Sequence, residues 1–448
     1  MQLRQVLKQI HPQTIIYFVV LSLAFQVSLT SCKSSNPAAQ TTQKSTFEKL
    51  ASIPIISKIE KRDLVSHFDE HYEIWFEQPI DHNDPSKGTF EQRVLLGFEK
   101  EPKPVFVELE GYGIFSEKAG ELASHYRANQ LTIEHRYFNN SRPKFIDWNT
   151  LTVENAAKDQ SIIINAIRNA LFPDAKFITT GISKGCQTTM AHRRFFPNNV
   201  DASVCYVGPL NLEREDPRVY SFLKNVGTKI ERDKVRAFQE LCFENRDALL
   251  NIMKNEAKQK GLTWEFGVDN ALDYTILEYS FAYWQWGINS ASIPSNGASA
   301  NTIYEHLIDV VGYGFFETSS VEDLQPYFWS ALTEQGIYGY ETAPFKEYLN
   351  TEEVYKFDWA FPDNISKAYN LKPMQEIKSF LDTDAQKMIF IYGEYDAWSS
   401  TAVELNQSAA SREMYKFVRP KGDHRTRIKS FSQDTKAKIY NIIDAWIN

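Results

Sequence analysis

Lys176 to Met190, KFITTGISKGCQTTM, is the stretch from which the fold of this chain is read. An apolar run from Phe177 to Thr180 breaks at Gly181, presents Ser183 between two glycines and continues into residues with helical spacing. This is a G-x-S-x-G turn between a strand and a helix. In such a turn the serine backbone is strained, and Gly181 and Gly185 are needed because a Cβ at either position would meet the neighbouring strand or helix. The serine hydroxyl then stands clear of the sheet. A short pattern with three fixed positions also arises by chance in an ordinary strand-to-helix turn. What separates the two readings is whether an acid and a histidine follow in that order, each in a loop after its own strand.

Both follow. KMIFIYG (387–393) reads as a strand and leads into EYDAW with Asp396; MYKFV (414–418) reads as another and leads into RPKGDH with His424. Singly, such an Asp is a turn residue and such a His a solvated one. In an open parallel sheet, however, loops at the carboxyl ends of strands share one edge, so Ser183, Asp396 and His424 are brought together as a triad. A serine hydroxyl is a weak nucleophile at neutral pH. His424 is therefore expected to take its proton during attack and return it to the leaving group, while Asp396 fixes the imidazole tautomer. The oxyanion needs donors already in place. These are expected from the backbone N–H of Lys184 and from Gly111 or Tyr112, in the loop after the strand KPVFVEL (Lys103 to Leu109).

Working outward, YEIWFEQPIDH from Tyr72, a turn at Asn83-Asp84-Pro85 and TFEQRVLLGFE read as an antiparallel hairpin. A helical stretch near Lys118 to Tyr126 and a strand from Gln130 to Glu134 follow. Val153 to Leu171 has helical spacing, with Glu154 in its first turn and Pro173 beyond its end. ASVCYVGP from Ala202 is a buried strand, and Thr435 to Trp446 a final amphipathic helix. Strands alternating with helices give an α/β protein, here an α/β-hydrolase fold with a mostly parallel sheet and helices on both faces. Between residues 211 and 377 the alternation stops, and charged, aromatic-rich helical sequence predicts an inserted cap whose aromatic residues mainly form its own core. The expected organisation is a leader over 1–31, a tether over 32–65, the first part of the hydrolase domain over 66–210, the cap over 211–377 and the second part of the domain over 378–448.

A net charge of −8 with no Lys/Arg cluster excludes a nucleic-acid surface. Arg4 and Lys8 precede an apolar run from Ile15 to Leu29 that closes on Leu29-Thr30-Ser31-Cys32. That ending resembles a bacterial lipobox, so a lipidated Cys32 would anchor the chain in the cell envelope, with the lipid its only membrane contact; an ordinary signal peptide with a stray cysteine is the alternative. Residues 33 to about 46 are small and polar, as in a flexible tether. Cys186, Cys205 and Cys242 have the wrong number and spacing for a disulfide framework or a zinc site, and read as buried apolar residues with a Cys186–Cys205 bridge left open. His67, His71 and His82 lack ligand spacing, and neither metal nor cofactor is expected.

With these residues in hand, EHRYF at Glu134, SRP at Ser141, DW at Asp147, LT at Leu151, TGISKG around Ser183, HRRFFPNNVDASVCYVGP from His192, GEYDAW and GDHRTRI together resemble the PS-10 family of serine peptidases, the S37 group typified by tripeptidyl aminopeptidases. FEQPIDH, TFEQR, EHRY and TEQG also resemble the prolyl carboxypeptidase and dipeptidyl peptidase family. The first resemblance covers most of residues 70 to 448 and is weakest in the cap; Cys186 departs from it, standing where a second glycine is commoner. It implies an exopeptidase releasing short peptides, of two or three residues, from a free N-terminus. Such an enzyme needs a carboxylate for the substrate ammonium, and Glu110 is the first candidate, followed by Glu134, Glu278 and Glu334. A lipase or carboxylesterase uses the same fold and triad and is the main alternative. A catalytically dead binding protein is the other, against which the intact Ser, Asp and His speak.

Overall fold

The computed structural model describes residues 44–99, 103–350, 355–362 and 365–448. The leader, Cys32 and the start of the tether lie outside them. In chain order, α1 (Thr46–Ala51) and β1 (Ile56–Lys61) precede the hairpin of β2 (Glu70–Pro79) and β3 (Thr89–Phe98), and then come β4 (Val105–Leu109), α2 (Glu121–Tyr126), β5 (Asn129–Ile133), α3 (Val153–Leu171), β6 (Phe177–Ile182), α4 (Lys184–Phe195) and β7 (Ala202–Tyr206). Six helices follow without a strand: α5 (Arg218–Asn225), α6 (Lys229–Glu244), α7 (Arg246–Lys260), α8 (Val268–Trp286), α9 (Ala300–Val311) and α10 (Thr318–Ser330). The chain closes with α11 (Lys372–Thr383), β8 (Met388–Gly393), β9 (Met414–Arg419) and α12 (Gln433–Ile447).

One sheet of nine strands runs β1-β2-β3-β5-β4-β6-β7-β8-β9. The first three pairings, β1 with β2, β2 with β3 and β3 with β5, are antiparallel, and every pairing from β5 onward is parallel. Central strands are buried on both faces, as continuous apolar runs require. On one face Ile163, Ile164 and Ile167 of α3 meet Val105, Val107 and Leu131. On the other, Leu122 of α2 and Ile439 and Ile443 of α12 meet Phe106, Ile178 and Val204. Thr152 caps α3 by accepting from the Asn155 amide, which sets the helix start where its sequence pattern begins. This is the expected α/β-hydrolase fold.

Two boundaries differ from the sequence reading. The tether does not extend to residue 65, because α1 buries Leu50 against the α3 core and β1 pairs with β2 from Ile56 to Lys61. An edge strand with partly exposed, mixed residues has a weak pattern, and only its partner fixes it. The cap ends before α11: Met374, Ile377 and Phe380 pack on Cys186 and Met190 of α4 and on Phe390 of β8, so this helix belongs to the sheet's own layer. The cap's aromatic runs do form its core, including Tyr274, Tyr279, Phe281 and Phe328. Cys186, Cys205 and Cys242 are free and buried.

Candidate active site

The turn at Ser183 follows β6 directly. Ser183 adopts φ 57° and ψ −122° and is the residue before the first turn of α4. A non-glycine residue held there costs about 1–3 kcal/mol, a strain concentrated at functional sites. Gly185 makes the turn feasible: a Cβ on it would lie 2.6 Å from the Leu109 carbonyl oxygen, so the end of β4 and the start of α4 touch only because it has none. Asp396 follows β8 and His424 follows β9, on the same carboxyl edge as Ser183. His424 Nδ1 lies 2.9 and 3.0 Å from the two Asp396 oxygens. The fully buried Asp396 carboxylate also accepts from the Trp398 amide at 3.1 Å and the Ser399 hydroxyl at 2.9 Å. These bonds leave it no freedom to rotate, so the imidazole is held in one plane. Trp398, two residues past Asp396, borders the same small cavity as Ser183.

That cavity is confined. Its free volume is about 10 Å³, between Tyr112, Lys184, Gln187 and Pro209 below and Tyr327, Ala331, Gln335 and Gly336 of the cap above. The cap residues come from the end of α10 and a π-helical turn, Ala331–Gln335, that continues it. Single π turns inside helices recur at functional sites.

The loop after β4 is pinned from behind by the EHRYF segment. The His135 amide donates to the Tyr112 carbonyl at 3.0 Å, and Glu134 accepts from the Ile114 amide at 3.0 Å and the Ser141 hydroxyl at 2.7 Å. Among the described residues the amides of Gly111, Tyr112 and Lys184 donate to no protein group, which leaves them available to an oxyanion. Arg136 is fully buried and places its guanidinium on Asp159 at 2.6 and 2.9 Å and on the carbonyls of Pro79, Ile80 and Thr150. His82 completes this network through Asp159 at 2.6 Å. Nothing in the local sequence pairs Arg136 with Asp159; the contact exists only once β5 and α3 are stacked.

Lys184 has a second aspect. Its side chain is 2% exposed, its Nζ has no hydrogen-bond partner, and it lies over the rings of Phe138 and Tyr112 at 5.5 and 6.0 Å. Burial lowers its pKa to about 7 and, with Lys184 close by, drives that of His135 well below the ordinary imidazole value. The four candidate carboxylates separate. Glu134 is engaged as described, and Glu334 accepts from the Val153 amide at 2.8 Å, capping α3. Glu278 lies in the cap, where burial raises it to about 8, beside Tyr327 of the Ser183 cavity. Glu110 is half-buried and lines a separate cavity of about 530 Å³ with Glu108, Ile182, Tyr206 and Arg427. Burial, then Glu108 and Glu134, raise Glu110 to about 8.

An open, largely parallel sheet carrying a strained serine turn, an acid and a histidine on its carboxyl edge, under a helical insertion, defines an α/β-hydrolase. The chain belongs to the PS-10 peptidase S37 family, whose model matches residues 39–448, and it is a serine peptidase. It is 28% identical over 405 residues to a prolyl tri/tetrapeptidyl aminopeptidase of Streptomyces mobaraensis, covering 89% of this chain and 84% of that protein. Among solved structures, a proline iminopeptidase of Mycobacterium smegmatis aligns with 11% identity and a TM-score of 0.41 over 83% of this chain and 98% of that one. A thermostable carboxyl esterase of Bacillus coagulans aligns with 11% identity and a TM-score of 0.38 over 84% and 99%. The fold assignment rests on strand order and crossover helices rather than on these distant likenesses.

Proposed function

We propose that the protein is an aminopeptidase that removes short peptides, of two or three residues, from free N-termini through an acyl-enzyme on Ser183. His424 serves as base and then acid, Asp396 orients it, and the amides of Lys184 and of Gly111 or Tyr112 receive the oxyanion. The observation that carries this reading is the cap over the serine: Tyr327, Ala331, Gln335 and Gly336 line the Ser183 cavity opposite Tyr112 and Gln187, which limits the length of chain that fits beside the serine. The space beside the serine is too small for a peptide residue, so the cap must shift to admit substrate. The similarity to the Streptomyces aminopeptidase supports the same direction of cleavage.

For the substrate ammonium we favour Glu278, the carboxylate on the cap side that shares Tyr327 with the Ser183 cavity. Glu110 is the second reading, favoured by a carboxylate with no hydrogen-bond partner among the described residues and by the cavity it lines. The test is hydrolysis of chromogenic peptides of one to four residues, free and acetylated, by wild type and Ser183→Ala. Serine-dependent release restricted to free-amine peptides of two or three residues is the expected result. Indifference to acetylation, or activity on esters alone, would replace the aminopeptidase by an endopeptidase or a lipase-like esterase.

A further inference from the structure

A helix leaves its last carbonyls without intrahelical donors. At the C-terminus of α8, Gly287 and Ile288 turn back onto the carbonyls of Tyr283 and Trp284. The next two carbonyls are taken by the loop after β9. The His424 amide donates to the Gln285 carbonyl at 2.9 Å, and the Arg425 guanidinium donates to the Trp286 carbonyl at 2.5 Å. Arg425 is fixed in turn by Asp423, which accepts from its Nε at 3.0 Å and its amide at 2.9 Å. Trp286 stands edge-on to the His424 ring, with centroids 5.9 Å apart. Gly287 has φ 60°, and a Cβ there would come within 2.7 Å of the Asp423 carboxylate, so the two segments are in closest contact at this point. The cap helix is therefore capped in trans by the histidine loop.

We propose that this junction is a latch through which the cap positions His424, with Arg425 as a positioning residue. The proposal rests on the serine-peptidase roles given above. It has two physical parts. The hydrogen bonds fix the backbone at His424, and hence the angle from which its Nε2 meets the serine and the leaving group. The Trp286 ring, edge-on to the imidazole with centroids 5.9 Å apart, limits the ring's rotation from the side of the cap. When the tetrahedral intermediate breaks, the proton that His424 took from Ser183 passes from Nε2 to the departing amine nitrogen as the C–N bond is cleaved. A nitrophenolate, by contrast, leaves an acyl group without needing the proton.

The latch predicts unequal damage to amide and ester cleavage. Arg425, with a largely exposed side chain, is suited to substitution. In Arg425→Ala and, independently, Gly287→Ala, kcat for a peptide nitroanilide should fall about tenfold or more, while kcat for the nitrophenyl ester of the same peptide changes less than about threefold and KM is unchanged. Arg425→Lys should restore most of the anilide rate. Equal losses on both substrates, or no loss on either in folded protein judged by its thermal midpoint, would overturn the latch. Undiminished cleavage of both substrates by Ser183→Ala would instead overturn the serine roles themselves, whatever Arg425 does.

Discussion

The Tyr338 hydroxyl stands 2.9 Å from each of the two carboxylate oxygens of Glu278, and Tyr340 adds a third contact at 2.7 Å. Two phenols thus solvate a carboxylate whose pKa burial, even against their hydrogen bonds, raises to about 8.

If Glu278 receives the substrate ammonium, binding must ionise it, so a proton leaves as the peptide arrives. Affinity for free-amine peptides should then rise from pH 6 towards about 8 and fall once the α-amine, with an ordinary pKa of about 7.7–8.0, loses its own proton. The pH dependence of KM checks this. Glu278→Gln should raise KM and flatten the rise, whereas the same effects from Glu110→Gln would move the ammonium to the other cavity.

Lys184 gives a prediction of opposite character. Its ammonium is buried without a partner, and its folded pKa of about 7 lies below the ordinary 10.5, so between those values the unfolded chain binds the extra proton and stability rises with pH. Lys184→Met should remove that slope and stabilise the protein by roughly 2 kcal/mol near pH 7. Urea unfolding at pH 7 and pH 9 measures both. The flexible thioether keeps contact with Tyr112 and Phe138, so the nitroanilide rate should stay within about threefold of wild type.

Asp159→Asn should destabilise the protein by about 3–5 kcal/mol, because it leaves the Arg136 guanidinium buried without its counter-ion. Chemical denaturation is the measurement. A loss below about 1 kcal/mol would mean that the surrounding carbonyls, not Asp159, hold Arg136.

A lipid on Cys32, in residues outside the structure described, should be labelled by a palmitate analogue in cells and lost in Cys32→Ala, with release of the protein from the membrane fraction. Unchanged labelling would remove the anchor.

The strands around Ser183, the order in which Asp396 and His424 follow, and the extent of α3 were all legible, because each is written as a local run of apolar residues ended by a turn. The candidate carboxylates were not separable in the same way. Glu134 and Glu334 carry the same side chain as Glu278, and only the amides of Ile114 and Val153, brought near by packing, reveal that the first two support loops and helices. The same holds for α11, whose amphipathic pattern fits a cap helix as well as one on the sheet until Cys186 and Phe390 are found beneath it. The contact between α8 and the histidine loop was not legible either: Gly287, Asp423 and Arg425 stand in the sequence, but the Gln285 and Trp286 carbonyls that join them are backbone groups that any residue carries.

The pairing of Ser203 with Met388 has a consequence in time. These neighbours in the sheet are separated in the chain by the whole cap, so during synthesis β7 is an unpaired edge of fully buried residues until the cap has been made. Folding of the sheet must wait for a long loop to close, a slow, non-local step that exposes a sticky edge meanwhile. The serine turn is thus made well before the strands that bring Asp396 and His424 to its edge of the sheet, and with the roles proposed above the nascent chain has no means of cutting until the last part of its own sheet has joined.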